Sequence, residues 1–288
     1  MLSSSLGYCL DNNGGSMKKY NLNFHQTFCP DKNYISKLLM KTSDLKLVTK
    51  EQISEITTIP TGNSSGKVEP TIEYMKYMNL IDYTKESNLY NISKTSLGEV
   101  VSIEDPYLSE KISIKMLNYF LTSKSFGAEM WYKVLRQIPY EYGRNVSTNI
   151  VIKEVESYYK KKVKMGALNS TYINEYSFKE VNIVDIEKEN YSYKSIKYNF
   201  EEIYMYSYTL IKELEYLDNE RKEFTINEIM DDLKWNLGFG WTNDEAYNVL
   251  EQFEKKGIVN INRQLNPITV IVNKESNDIL NDIYSLLF

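Results

Sequence analysis

Cysteine and histidine are almost missing from this chain, with 2 Cys and 1 His in 288 residues. That count excludes zinc fingers, zinc deaminases and any disulfide framework. An imidazole-dependent mechanism has to run through His25 or not at all. Proline (6) and glycine (12) are too scarce for a low-complexity or collagen-like chain. No run of eighteen apolar residues is present, so no membrane-spanning helix is expected. Positive charge is not in excess: 34 Lys and Arg face 39 Asp and Glu, for a net charge of −5. A strongly basic nucleic-acid binder is excluded on that balance. Gly-x-Ser-x-Gly, Walker and Gly-x-Gly-x-x-Gly loops are all absent. No catalytic residue, metal site or cofactor is therefore expected from motifs.

What remains is the composition of a globular protein, 42% hydrophobic and 25% charged. The 25 Tyr are spread evenly along the chain, beside many Asn, Lys and Ile. That spread fits nucleotide bias in the genome better than a base-stacking platform. At the N-terminus no Lys or Arg precedes the short apolar patch, which is unlike a secretory signal. Asn12-Asn13-Gly14-Gly15-Ser16 reads as a linker, so residues 1–17 are expected to be a flexible tail. With no signal and only Cys9 and Cys29, a cytoplasmic protein is expected.

The clearest pattern occurs twice. Thr49-Lys50-Glu51-Gln52 has the Thr-x-x-Gln form of a capping box, and the short helix it opens stops before Pro60. After the turn Thr61 to Gly66, Val68, Ile72 and Met75 mark one face of a second helix. Leu80 to Thr84 and Leu89 to Ser93 then read as a hairpin. Thr225-Ile226-Asn227-Glu228 repeats the box 176 residues after Thr49. Thr242-Asn243-Asp244-Glu245 opens a helix with Ala246, Val249, Leu250 and Phe253 on one face, and Gly257 closes it. Ile258 to Ile261 and Ile268 to Val272 form the second expected hairpin. Short helix, turn, longer helix and hairpin make a winged helix-turn-helix.

The expected fold is therefore α+β, mainly helical with small hairpins, in which two winged helices flank a helical centre. The spacing predicts an N-terminal unit over 18–104, a centre over 105–200 and a C-terminal unit over 201–288. In the centre, Asp105-Pro106 reads as a helix start. Helices are expected near 126–138, over 147–160 and over 203–217. Residues 165–200 read as extended or loop-like.

Charge decides what these units could touch. The second reading helix is net acidic, with Asp244, Glu245, Glu251 and Glu254 against Lys255 and Lys256. Phosphate would repel its N-terminal end, so this unit is expected to contact protein or to be purely architectural. In the first unit Lys67, Lys76, Lys85 and Lys94 are the DNA-contact candidates. The strongest basic run follows Tyr158 and Tyr159 and adds Lys160, Lys161, Lys162 and Lys164. A metal nuclease could use carboxylates alone, Asp231 with Asp232 or Glu201 with Glu202. Helix neighbours diverge by about 100°, which suits solvated faces better.

Several short motifs, in order, carry a family resemblance. Phe24-His25-Gln26-Thr27-Phe28 resembles the His-Glu-Thr-Phe opening of a bacterial domain-of-unknown-function family, DUF 4007. The Gly66-Lys67 turn and its helix ending in Leu80-Ile81, the segment Leu97-Gly98-Glu99, and Asp105-Pro106-Tyr107-Leu108 before Trp131 are similar as well. The likeness runs from about Asn21 to Val272. It marks His25, Gln26, Thr27 and Phe28 as family-motif positions. Gln26 stands where the family has Glu, the Arg expected after Phe28 is absent, and the Gly-Lys turn is loosely kept. The resemblance implies a place in DNA phosphorothioation or phage-defence gene clusters, with protein partners encoded nearby. The expected function is a non-catalytic, DNA-associated adaptor that binds DNA weakly and in a salt-dependent way, with no membrane partner. The alternative is a magnesium-dependent DNA nickase, from a similarity to the DNA-nicking component of single-strand phosphorothioation systems. A transcription regulator is the third reading.

Overall fold

The computed structural model describes residues 22–62 and 66–287, together with two short strands before them. Those strands, β1 (Gly7–Tyr8) and β2 (Lys19–Tyr20), pair antiparallel within and just beyond the segment expected as a tail. The rest of that segment, and Asn63 to Ser65 of the first expected turn, lie outside the described residues.

The first helix is α1 (Lys32–Lys41), whose N-cap Asp31 accepts the Asn33 N–H. Next comes α2 (Lys50–Thr57), held by a complete capping box. Thr49 Oγ1 accepts from Gln52 N at 3.3 Å, and Gln52 Oε1 accepts from Thr49 N at 2.8 Å. Thr58, at φ 60°, takes the left-handed conformation that ends the helix. α3 (Val68–Tyr77) follows, and then β3 (Ile81–Glu86) pairs with β4 (Leu89–Lys94) around Ser87-Asn88. An isolated bridge from Val48 to Tyr90 adds a third extended segment to this hairpin.

α4 (Ser96–Glu104) starts at Thr95, which accepts from Gly98 N. Gly98 is required by close approach: a Cβ there would lie 1.9 Å from the Leu80 carbonyl oxygen. The Leu97-Gly98-Glu99 motif thus docks α4 against the end of α3. Asp105 does not start a helix with Pro106 just inside, as its sequence suggested. Its buried carboxylate instead accepts from Ser109 N, Glu110 N and Ser113 Oγ, at 2.8, 3.0 and 2.6 Å. α5 (Lys111–Leu121) begins only beyond that turn.

The next helical segment changes register inside. α6 (Glu129–Tyr132) runs into a π turn over Lys133–Gln137 and continues as α7 (Ile138–Tyr142). Pro139 explains the change. It has no N–H to give the preceding turn and its ring crowds the carbonyl four residues back, so Ile138 N reaches Lys133 O, five residues back. β5 (Asn145–Ser147) and α8 (Thr148–Tyr159) follow, the latter capped by Ser147. The segment expected to be loop-like contains α9 (Gly166–Ile173), β6 (Val184–Ile186) and β7 (Asn190–Tyr193). β7 pairs antiparallel with both β5 and β6. Three-residue strands carry too short an alternation to stand out in sequence.

α10 (Ile203–Leu217) spans the helix expected there. After α10, β8 (Glu223–Thr225) pairs with β10 (Thr269–Val272), which pairs in turn with β9 (Val259–Asn262). Thr225 and Glu228 make both capping-box bonds, yet the turn they open is π-helical over Glu228–Asp232. α11 (Asn243–Lys255) is opened by the Thr242–Glu245 box and followed by Gly257 at φ +69°. α12 (Ser276–Leu280) packs against α10 and α4. The architecture is mainly helical with small antiparallel sheets, and its buried residues form one apolar cluster from Leu22 to Tyr284. Among the described residues, no helix is long and apolar enough to cross a membrane.

Leu250 lies in that cluster with no exposed surface. Leu250→Ala should lower stability by about 2–5 kcal/mol, the range for a buried Leu leaving a cavity. An unchanged denaturant midpoint would show that α11 does not pack through this face.

Candidate nucleic-acid interface

Phe24 and His25, from the opening motif, pack against α3 and Trp131. Phe24 and His25 are buried, while Gln26 and Thr27 are exposed. Phe24 packs edge-on to Tyr74 with centroids 4.9 Å apart, and Trp131 meets His25 at 5.8 Å and Tyr74 at 5.7 Å. Tyr74 Oη donates to the Phe28 carbonyl at 2.9 Å. The opening motif and the Trp-bearing segment, distant in sequence, therefore form one aromatic knot that fastens residues 22–28 to α3 and α6.

His25 faces this knot, and among the described residues no carboxylate is ion-paired with it. Burial, opposed by a hydrogen bond to the Leu22 backbone, brings its pKa down to about 4. A neutral imidazole without a charged partner is poorly placed as a general base at neutral pH. The sign for stability follows from linkage. A histidine whose folded pKa is depressed binds fewer protons folded than unfolded, so stability falls as pH drops from about 6.5 to 4. His25→Asn should abolish that component, on the order of 3 kcal/mol in full. Chemical denaturation of both proteins at pH 7 and pH 4.5 measures it. An equal pH dependence in the two would overturn the assignment.

The four lysines expected to meet DNA from the first unit are largely engaged. Lys85 Nζ lies 2.9 Å from Glu69 Oε1 and 4.6 Å from the Tyr90 ring centroid. Burial raises the Glu69 pKa, but hydrogen bonds from Tyr90 and Lys85 outweigh it and hold the carboxyl below its usual value. Lys94 pairs with Glu99 at 3.1 Å. Lys76 stands over Tyr83, and Lys67 over Phe28 and Tyr34, at 5.2, 5.4 and 4.9 Å. Tyr83 and Tyr90 donate to Glu73 and Glu69, which stitches the hairpin onto α3. Two of the four charges are thus neutralised within the unit.

The basic run after α8 is arranged differently. Lys160 adopts the left-handed conformation at the helix end, with φ 51°, and Lys160, Lys162 and Lys164 are exposed. Val163 N donates to Glu156 Oε1, folding the run back along the helix. Lys161 and Lys162 line an open groove of about 570 Å³ with Asn149, Lys153, Glu156 and Ser157. Lys153 was passed over in the sequence. Its signal was the i, i+3, i+4 spacing with Glu156 and Ser157, which puts all three on one helical face. The Lys67 to Lys94 set and the Lys160 to Lys164 set lie in separate places, one around α3 and its hairpin, the other at the end of α8.

On α11 the acidic residues carry their own structure. Arg263 reaches Glu251 at 3.2 Å and Glu254 at 2.9 Å, locking the hairpin to the helix. Asp244 and Glu245 remain exposed at its N-terminal end.

Across 92% of this chain and 88% of the other, the fold matches a structure described as magnesium ion-bound SspB, with a TM-score of 0.71 and 12% identity. A second SspB structure matches with a TM-score of 0.69, the same identity and the same coverage. At that identity the likeness is one of fold. No family model and no curated protein matches the sequence.

Among the described residues, no three or more His, Cys, Asp or Glu side chains gather into one cluster. Both oxygens of Glu202 accept from Lys115, at 2.6 and 2.7 Å, and Tyr206 donates to it as well. Glu201 accepts from Asn199, while Asp231 accepts from Tyr140. The two pairs of adjacent acids singled out in the sequence therefore do not converge on a common point with a third ligand.

Proposed function

We propose that the chain is a non-catalytic, DNA-associated adaptor of a prokaryotic DNA-modification or phage-defence system, and a member of DUF 4007. Two winged-helix units flank a helical centre. The centre holds DNA weakly through backbone phosphates, and the second unit contacts protein encoded in the same gene cluster. The observation that carries this reading is the fold shared with the SspB structures over nine-tenths of the chain. The helix–turn–helix–hairpin order of both ends, with strand order β8-β10-β9 in the second, supports the winged form. The exposed lysines beside the α8 groove support phosphate contact. The acidic end of α11 supports a protein partner and weighs against a transcription regulator.

One observation favours the nickase reading, namely that the neighbour of like fold is described with bound magnesium. Supercoiled plasmid incubated with the protein, with and without magnesium, tests the two. The adaptor leaves the plasmid closed in both and retards it on a gel at low salt. Magnesium-dependent nicking would establish the alternative, and no retardation at low salt would overturn DNA association.

A further inference from the structure

A pocket of about 230 Å³ opens where three separate stretches of chain meet. Its floor is one face of α3, with Glu69 and Glu73. One wall is the β3–β4 hairpin, which contributes Tyr83 and Lys85. The other is the opening motif, with Phe24 and Gln26. Gln26 is exposed, and its turn is closed by Gln26 N donating to Asn23 O at 2.9 Å and by Phe28 N donating to His25 O at 2.8 Å.

The charges in this pocket do not balance. Glu69 and Glu73 are four residues apart, so they share one side of α3, about 6 Å apart along its axis. Lys85 Nζ lies 2.9 Å from Glu69 Oε1 and answers that carboxylate. Glu73 accepts from Tyr83 Oη at 2.5 Å, and among the described residues no cationic side chain is ion-paired with it. Lys76, one turn further along α3, stands over the Tyr83 ring at 5.2 Å instead. Two carboxylates and one ammonium leave one negative charge uncompensated. Both acids can be reached, since the Glu69 side chain is 35% exposed and Glu73 is half-buried. The Tyr83, Tyr90 and Lys85 bonds all fall on Oε1 atoms, so the second oxygen of each carboxylate keeps its acceptor capacity. The two tyrosine rings lie side by side, with centroids 5.9 Å apart, and their hydroxyls hold the carboxylates in place before any guest arrives.

A guest that fits is a cation with more than one N–H donor and a flat face. A guanidinium meets both needs, because it pairs with a carboxylate through two parallel N–H bonds and stacks on aromatic rings. An ammonium supplies the charge without the plane. The space is smaller than the roughly 300–1,000 Å³ that a whole small molecule usually occupies, and it suits a single side chain. We propose that this pocket receives an arginine side chain of a partner protein, its guanidinium on Glu73 and its flat face along Tyr83. An arginine anchored in this way is a common centre of binding energy at protein interfaces. The protein source rests on the adaptor reading above, whereas the pocket chemistry does not.

The test titrates the full chain with three capped tripeptides, Gly-Arg-Gly and its lysine and citrulline counterparts, and separately with L-arginine and with magnesium chloride. The Gln26 side-chain amide and Tyr83 ring resonances are the readouts. The arginine peptide should move both to saturation, and the lysine peptide should bind several-fold more weakly. Citrulline is planar but uncharged, so its peptide should leave both signals in place. Glu73→Gln keeps an acceptor for Tyr83, so it should fold like the parent and weaken arginine binding at least tenfold, the worth of a hydrogen bond to a charged group. Gln26→Glu adds a carboxylate at the rim and should tighten it. The inference is overturned if the citrulline peptide binds as well as the arginine peptide, or if both variants bind like the parent. It is equally overturned if magnesium shifts the Gln26 amide and the arginine peptide does not. L-arginine binding more tightly than the capped peptide would overturn the protein source. Plasmid retardation without peptide binding would sink this inference alone. Peptide binding without plasmid retardation would sink DNA association and leave the pocket assigned.

Discussion

Arg136→Met is expected to destabilise the fold by about 3–5 kcal/mol, the cost of leaving one partner of a buried ion pair alone. Arg136 Nη1 and Glu213 Oε1 lie 3.6 Å apart, and neither side chain has exposed surface. The guanidinium also donates to Tyr119 O at 2.7 Å and stacks 4.3 Å from the Tyr119 ring centroid. Glu213 accepts from Tyr119 Oη at 2.9 Å and from Ser125 Oγ at 3.3 Å. The π turn, α5 and α10 thus meet at one charged point within an apolar core. Burial pushes the Glu213 pKa up, and Arg136 is the main influence opposing that rise. Removing Arg136 lets it rise further. A carboxyl raised in the folded state contributes stability below its unfolded value, and loses that contribution as pH climbs through the folded value. The deficit of Arg136→Met should therefore be smallest near pH 4.5 and grow toward neutrality. The double variant Arg136→Met, Glu213→Met should recover most of the loss, because no uncompensated charge remains. Urea denaturation of the single and double variants at pH 4.5 and pH 7.5 decides it. A loss under 1 kcal/mol, or a double variant no better than the single one, would mean that the pair is not coupled.

Charge reversal of Lys160, Lys161, Lys162 and Lys164 is expected to have the largest effect on nucleic-acid binding. Each phosphate contact releases counterions and contributes about 0.9 to the slope of log affinity against log salt on duplex DNA. If all four lysines touch phosphate, the slope falls by roughly 3.6. Reversing Lys85 and Lys94 should change it far less, since Glu69 and Glu99 already neutralise them. Fluorescence anisotropy on a labelled duplex between about 50 and 200 mM salt spans the informative range. Should the quadruple variant keep the parent slope, the α8 groove is not where DNA lies.

How far the sequence reached can be seen residue by residue. Thr49, Thr225 and Thr242 each make the reciprocal bonds that their spacing to Gln52, Glu228 and Glu245 implied, because a capping box closes within one turn. Val249, Leu250 and Phe253 are buried as their helical spacing required, and residues 203–217 form α10. These features depend on contacts three or four residues apart. The π turns could not be read in the same way: Pro139 announces a disturbance, but a proline is equally compatible with a helix end. Asp105 also misled, since three donors from the following turn and α5 took its carboxylate.

The candidate site divides along the same line. The lysines and the motif residues could be named from sequence, but their availability could not. Whether Lys85 faces solvent or Glu69 depends on a hairpin folding back onto α3, and whether His25 is wet or dry depends on Trp131, more than a hundred positions away. The sequence by itself determined the three capping boxes, the apolar faces, the hairpin turns and the sign of each surface, all of them matters of short-range spacing and composition. Tertiary structure alone decided which charges are spent inside the molecule and which polar atoms are left without partners, because burial and pairing are properties of surfaces that meet across long stretches of chain.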